Sequence, residues 1–128
     1  MPLDRAVQPD DAALLMQSDY AKAARTMQIA VAEYYSNFGK LPKSNADAGL
    51  PPPSEYRGDT LRSATIGADG SIEMVFDGKS GKQGGRVRLI PDLSHVAAMS
   101  VQWHCQSPDY PQIDHILRNC AYTGGESR

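Results

Sequence analysis

The sequence predicts an α+β fold: one long N-terminal helix packed on a roughly four-stranded antiparallel sheet, followed by a C-terminal loop bounded by two cysteines. Three observations predict it. Between Asp10 and Phe38, apolar residues recur at spacings of three and four, the period of one helix face. Between Thr60 and Cys105, short alternating runs are separated by glycine-bearing turns, the pattern of a meander. The only two cysteines, Cys105 and Cys120, lie near the C-terminus with fourteen residues between them.

The totals set the bounds. A chain of 128 residues forms one domain with a modest core, so residues 1–128 are expected to be a single unit. With 41% hydrophobic and 22% charged residues the composition is globular rather than disordered. A formal net charge of -2 gives no whole-molecule attraction to nucleic acid or anionic membrane, and leaves only local patches. No apolar run approaches the roughly 18 residues of a membrane span. The start, "MPLDRAVQPDDAALL", lacks the apolar stretch of a signal peptide and carries acids where basic residues are needed. The sequence reads as a soluble polypeptide.

Residues 1–10 are polar and proline-flanked and are expected to be loosely ordered. The helix is predicted over 11–38. Met16, Tyr20, Ala23, Met27, Val31, Tyr34 and Phe38 form its apolar face, and Gln17, Lys22, Arg25, Gln28 and Glu33 lie opposite. Asp10 is the expected N-cap, with Asp11 favoured at the positive end of the dipole. Gly39 is the expected residue after the last turn, and Pro42 forbids resumption. Such a helix is roughly 42 Å long at 1.5 Å per residue, against a radius of gyration of about 14 Å for a domain of this size. It should protrude, leaving Ala12–Leu15 without intramolecular cover, which points to assembly or to a missing N-terminal continuation.

Residues 39–59, "GKLPKSNADAGLPPPSEYRGD", have no period and read as a long irregular loop. Loops of this length often carry function; the plainer reading is a solvated connection over the surface. The sheet is predicted over 60–105. "TLRSATIG" is a weak strand, and "ADGS" holds the Asp69-Gly70 hairpin signal. "SIEMVF" alternates Ile72, Met74 and Phe76 against Ser71, Glu73 and Val75. "DGKSGKQGG" reads as a flexible turn, and "RVRLI" as a strand ended by Pro91. In "AAMSVQWHC", Met99, Val101, Trp103 and Cys105 share one face while Ser100, Gln102 and His104 take the other. One face of this sheet is apolar and needs cover, and the amphipathic helix supplies it.

The cysteines admit three chemistries. A zinc site is poorly supported, because ligands usually come in close pairs, whereas Cys105, His115 and Cys120 have no such spacing and His104 points away from Cys105. A catalytic thiol needs a base, an orienting group and a pocket, and no motif ties either cysteine to His95, His104 or His115. A disulfide between Cys105 and Cys120 is the reading the residues favour. It would tether a segment with Pro108 and Pro111 and few apolar anchors, contribute about 3 kcal/mol, and imply an oxidising compartment. Pairing Asp92 with His95 for catalysis has no more support than a loop between strands. No glycine motif cradles a phosphate, so no enzyme activity, cofactor or metal is expected.

"AVAEYYSNFGKLP" at the helix end, then "GGRVRLIP", "VQWHC" and "ILRNC" in order, resemble the globular part of a bacterial type IV pilin over about residues 16–122. The resemblance implies a helix on a sheet of about four strands. It also implies an αβ-loop at roughly Gly39–Asp59 and a disulfide-bounded D-region at 105–120, both exposed on the fibre for subunit contact or adhesion. Pilins begin with a basic leader, a cleavage glycine, a methylated phenylalanine and about twenty apolar residues holding a glutamate. None of these stands in this sequence, so the resemblance implies a soluble piece that lacks its anchor, with its first residues partly foreign.

The function implied is a structural subunit of an extracellular pilus. It would reside at the inner membrane and periplasm before assembly, and its partners would be other subunits and the assembly machinery. Adhesion to host or other surfaces, twitching motility and natural competence would follow. For competence, Lys79, Lys82, Arg86 and Arg88 are candidate DNA contacts, with a solvated turn and strand face as the plainer reading. A minor pilin or a type II secretion pseudopilin is a further alternative. Those secretion subunits often use calcium where pilins use a disulfide, and Asp109 and Asp114 read as isolated acids.

Overall fold

The computed structural model describes residues 9–94 and 101–124, with side chains described from residue 11. Residues 1–8, as well as His95 and Met99 with their neighbours, lie outside the described residues.

Helix α1 runs Pro9–Phe38. Asp10 lies inside this span and is not its cap. Proline suits a first turn because its missing N–H has no helical partner to lose. Met16, Ala23, Ala24, Met27 and Val31 are buried, and Tyr20 packs partly against the same core. The apolar face then runs out. Phe38 is 62% exposed and stacks on Tyr34 with ring centroids 4.6 Å apart. Leu14 is equally exposed at the other end, as expected of a helix longer than the body it covers. Gly39 ends the helix at φ 70°, its N–H donating to Tyr35 O at 2.8 Å, the left-handed stop that glycine adopts without a Cβ penalty.

The sheet has five strands in sequential order: β1 (Leu61–Ile66), β2 (Ile72–Phe76), β3 (Arg86–Asp92), β4 (Gln102–Ser107) and β5 (Cys120–Tyr122). The first four pair antiparallel. The fifth, absent from the sequence reading, pairs parallel to β4 with Cys120 opposite Cys105. Three residues are too few to show an alternation, so β5 is placed by its cysteine rather than by a pattern. Pro91 does not end β3, which continues to Asp92. The β2 pairing stops at Leu89, so Pro91 has β4 on one side only, an edge position that tolerates a missing donor.

Leu61, Ala64, Ile66, Ile72, Met74, Phe76, Val87 and Leu89 line the inner face and form one buried cluster with the helix residues. Glu73, Val75, Arg86 and Arg88 face outward. The alternation read from β2 and β3 therefore fixes which face meets α1.

One charged residue lies within this seam. Asp19 is 6% exposed, and its Oδ2 accepts from Thr60 N–H at 2.6 Å, Thr60 Oγ1 at 2.7 Å and Leu61 N–H at 3.2 Å. Its Oδ1 accepts from Asp59 N–H at 3.3 Å. A carboxylate on the helix thus gathers the backbone donors that open β1. Burial alone raises its pKa, but these hydrogen bonds outweigh burial and bring the net value below 3.8, as charge-assisted donors do.

Because the folded pKa is depressed, the Asp19 contribution is complete above the unfolded value and is lost as pH falls through the folded one. Asp19→Ala leaves three or four donors unpaired and is expected to cost about 2–4 kcal/mol, measured by urea unfolding at pH 7. The gap between variant and wild type should narrow in acid below pH 3.8. An equal gap at pH 7 and pH 2 would contradict this role.

Candidate functional site

The C-terminal region is closed by a disulfide between Cys105 and Cys120, whose Cα atoms are 4.4 Å apart. Neither cysteine is free, so both are unavailable for catalysis or metal ligation while the bond stands. Both are buried, at 8% and 4% exposure. No group of three or more His, Cys, Asp or Glu side chains able to hold a metal occurs among the described residues.

The loop inside the bridge has more anchors than its prolines suggest. Tyr110, Ile113 and Leu117 are buried in the main core, and a short helix α2 (Ile113–Ile116) carries the first of the two aliphatic anchors. Ser107 organises the entrance. Its hydroxyl donates to Arg86 O at 2.7 Å and accepts from Asp109 and Tyr110 N–H, each at 3.2 Å. Gln17 on α1 donates to Ile116 O at 2.7 Å, tying the loop to the helix. Asp109 is not isolated. It accepts from Arg86 N–H at 2.9 Å and Arg86 Nε at 3.0 Å, and the guanidinium beside it holds its carboxyl below the usual range. Ser107, Asp109 and Tyr110 were missed because their partners lie about 20 to 30 residues away, beyond any local pattern.

The glycine-rich turn between β2 and β3 is built against this loop. It contains a 3₁₀ turn at Gly78–Ser80, capped by Asp77 accepting from Lys79 N–H at 2.9 Å. Gly84 N–H donates to Phe76 O, and Phe76 N–H to Gly85 O. Ser80 and Tyr110 share a hydroxyl hydrogen bond. A Cβ at Gly85 would collide with the Tyr110 ring, so the glycine here permits close packing rather than flexibility. The turn read as flexible is an ordered, hydrogen-bonded shelf for Tyr110.

The four candidate DNA contacts divide into two pairs. Lys79 and Lys82 are exposed on the turn. Arg86 and Arg88 share the outer face of β3 but are engaged, Arg86 with Asp109 at 3.0 Å and Arg88 with Glu73 at 3.7 Å. A phosphate at either arginine must compete with a carboxylate, which lowers the net attraction.

A separate polar cluster lies toward the far end of β3. Asp92 accepts from Ser94 N–H and Oγ at 2.9 and 2.6 Å, and its Oδ2 lies 2.8 Å from His104 Nε2. The Ser94 bonds, then the His104 contact, hold this carboxyl far below its ordinary value. The carboxylate sits between serine and imidazole, so His104 reaches Asp92 and not the Ser94 hydroxyl, and among the described residues the serine–imidazole contact of a nucleophilic triad is not formed.

The αβ-loop is the other exposed element. It leaves α1 through buried Pro42, seats Asn45 against β1 at 4% exposure, and returns through a 3₁₀ turn at Pro53–Glu55. Its end is gathered by Asp19.

The fold is thus a long helix with both ends exposed, a sheet covering one helix face, and two anchored loops on opposite sequence flanks of that sheet. A family model described as Pilin (bacterial filament) matches residues 18–120. The chain belongs to the pilin family. That family is structural and non-enzymatic, and its members assemble with other pilin subunits into an extracellular pilus. No individual curated protein matches the chain. No helix among the described residues is long and apolar enough to cross a membrane.

Replacing both cysteines by alanine is expected to cost about 3 kcal/mol. Hydrogen exchange should quicken within residues 106–119 and β5 while α1 and β1–β3 keep their protection. Unchanged exchange across 106–119 would show that Tyr110, Ile113 and Leu117 hold the loop without the bridge.

Proposed function

We propose that this pilin is an assembled pilus subunit that presents its αβ-loop and D-region for subunit contact or adhesion. It would pass through an inner-membrane and periplasmic stage served by the assembly machinery. The observation that carries this reading is that both loops are rigidly anchored from beneath while their outer residues are exposed. Asp19 and Asn45 hold the αβ-loop. The disulfide, Tyr110 and the Arg86–Asp109 pair hold the D-region. Pre-ordering of this kind lowers the entropy cost of contact. The staple also supports a place in a pilus over one in a type II secretion system.

His115 and Arg118 are exposed on the D-region. His115→Ala with Arg118→Ala is expected to leave folding intact in piliated cells. If the D-region adheres, filaments remain while surface attachment falls severalfold. If it serves subunit contact, filament yield falls instead. Normal yield together with normal attachment would contradict the reading.

Capture of DNA in transformation is a second reading, and Lys79 and Lys82 support it. Both are exposed on an ordered turn beside the D-region, and lysines held in this way can contact phosphate with a steep salt dependence. Under this reading, Lys79→Ala with Lys82→Ala abolishes a mobility shift at low salt, while Arg88→Ala, already paired with Glu73, has the smaller effect. Absence of any shift by the wild-type chain at low salt would remove this reading.

A further inference from the structure

An open groove runs along the flank of α1, between the helix and the start of β4, and neither the αβ-loop nor the D-region contributes a described residue to it. Its helix wall is built on a four-residue row, Tyr20, Ala24 and Gln28. The alanine, 5% exposed, leaves a hollow between the two longer side chains. Arg25 and Ile29 follow on the next row, and Trp103 stands opposite on β4. The groove holds about 570 Å³, within the roughly 300–1,000 Å³ of small-ligand clefts.

Its polar groups are free. Tyr20 Oη, Trp103 Nε1, the Gln28 carboxamide and the Arg25 guanidinium have no hydrogen-bond or ion-pair partner among the described residues, and none is sealed from solvent. Burial raises the Tyr20 pKa, so its hydroxyl keeps its proton and can donate. Trp103 donates only, while Gln28 donates and accepts. No acidic side chain is among the described residues that line the groove, so Arg25 leaves it positive. A fitting ligand offers a flat apolar face to the two rings, hydroxyls at its rim, and a carboxylate for the guanidinium fork. A sugar ring bearing a carboxylate has all three. A nucleic acid strand would also stack, but it needs a track of cations for successive phosphates, and the described walls supply one.

We propose that this groove is a binding site for an acidic saccharide. One uronic-acid unit lies against Trp103 and Tyr20, with its carboxylate on Arg25 and its hydroxyls shared with Gln28. The site lies outside both loops assigned to contact or adhesion. The inference therefore goes beyond that reading and is tested on the isolated chain.

Trp103 is the only tryptophan in the sequence, so its fluorescence and its indole N–H resonance report on this groove alone. The purified 128-residue chain is titrated at constant ionic strength with sodium galacturonate, neutral methyl galactoside, sodium acetate and thymidine monophosphate. Galacturonate is expected to give a saturable change in both signals at millimolar concentration, and acetate none. Arg25→Gln, at an exposed position, should weaken galacturonate binding severalfold and leave the methyl galactoside response unchanged. Tyr20→Phe should weaken both sugars; should it not fold, Arg25→Gln carries the test. No saturable response to galacturonate would overturn the proposal, as would equal affinity in folded Arg25→Gln. An equal response to acetate would mark an adventitious anion only, and tighter binding of the nucleotide would assign the groove to stacked bases. Either result contradicts a saccharide site.

Discussion

The apolar face of α1 is the constraint from which the rest of the domain follows. Met16, Ala23, Met27 and Val31 cannot be covered by a loop, because they extend along several turns of helix. An antiparallel sheet with one apolar face supplies a surface of the required width, and Ile72, Met74, Phe76, Val87 and Leu89 provide it. Apolar burial at about 25 cal/mol per Å² supplies the driving force, but it has no direction. Direction comes from polar contacts at the borders of the seam. Asp19 fixes where β1 begins relative to the helix, and Gln17 ties the helix to the C-terminal loop.

The same division holds in the outer loops. The disulfide places β5 beside β4 and limits the freedom of the loop, while Tyr110, Ile113 and Leu117 return it to the core. Ser107, Arg86 and Asp109 then set its entry angle. The β2–β3 turn belongs to this unit through Tyr110 and Gly85. D-region, turn and helix are therefore joined by one set of hydrogen bonds. On the opposite sheet edge the αβ-loop is fastened through the side chains of Asp19 and Asn45 and by a Gly58 N–H to Leu61 O bond.

The sequence was legible where periodicity carries the information. The helix over 11–38, the alternation in β2 and β3, the Asp69-Gly70 turn and the glycine at position 39 need only neighbouring residues to be read. The family resemblance is borne out across residues 18–120, and the cysteine pairing follows the favoured chemistry. The illegible parts depend on contacts across long separations. Asp19 looks like one more polar helix residue until Thr60 is placed beside it, 41 positions on. Asn45 looks like loop composition until β1 lies beneath it. Arg86 and Arg88 read as a basic stripe because Asp109 and Glu73 come from other strands or loops. Pro91 reads as a terminator because the end of the β2 pairing cannot be seen from β3 itself.

The molecule that emerges is a structural subunit: a helix long enough to extend past its domain, a sheet that covers only part of it, and two loops held stiff at the outer surface. The most direct measurement is immunogold electron microscopy of the cells that produce it, using antibodies raised against the D-region, residues 105–120. The account predicts gold on extracellular filaments, with binding reduced when the Cys105–Cys120 bond is broken. Gold confined to the cell envelope, beside unlabelled filaments, would contradict it.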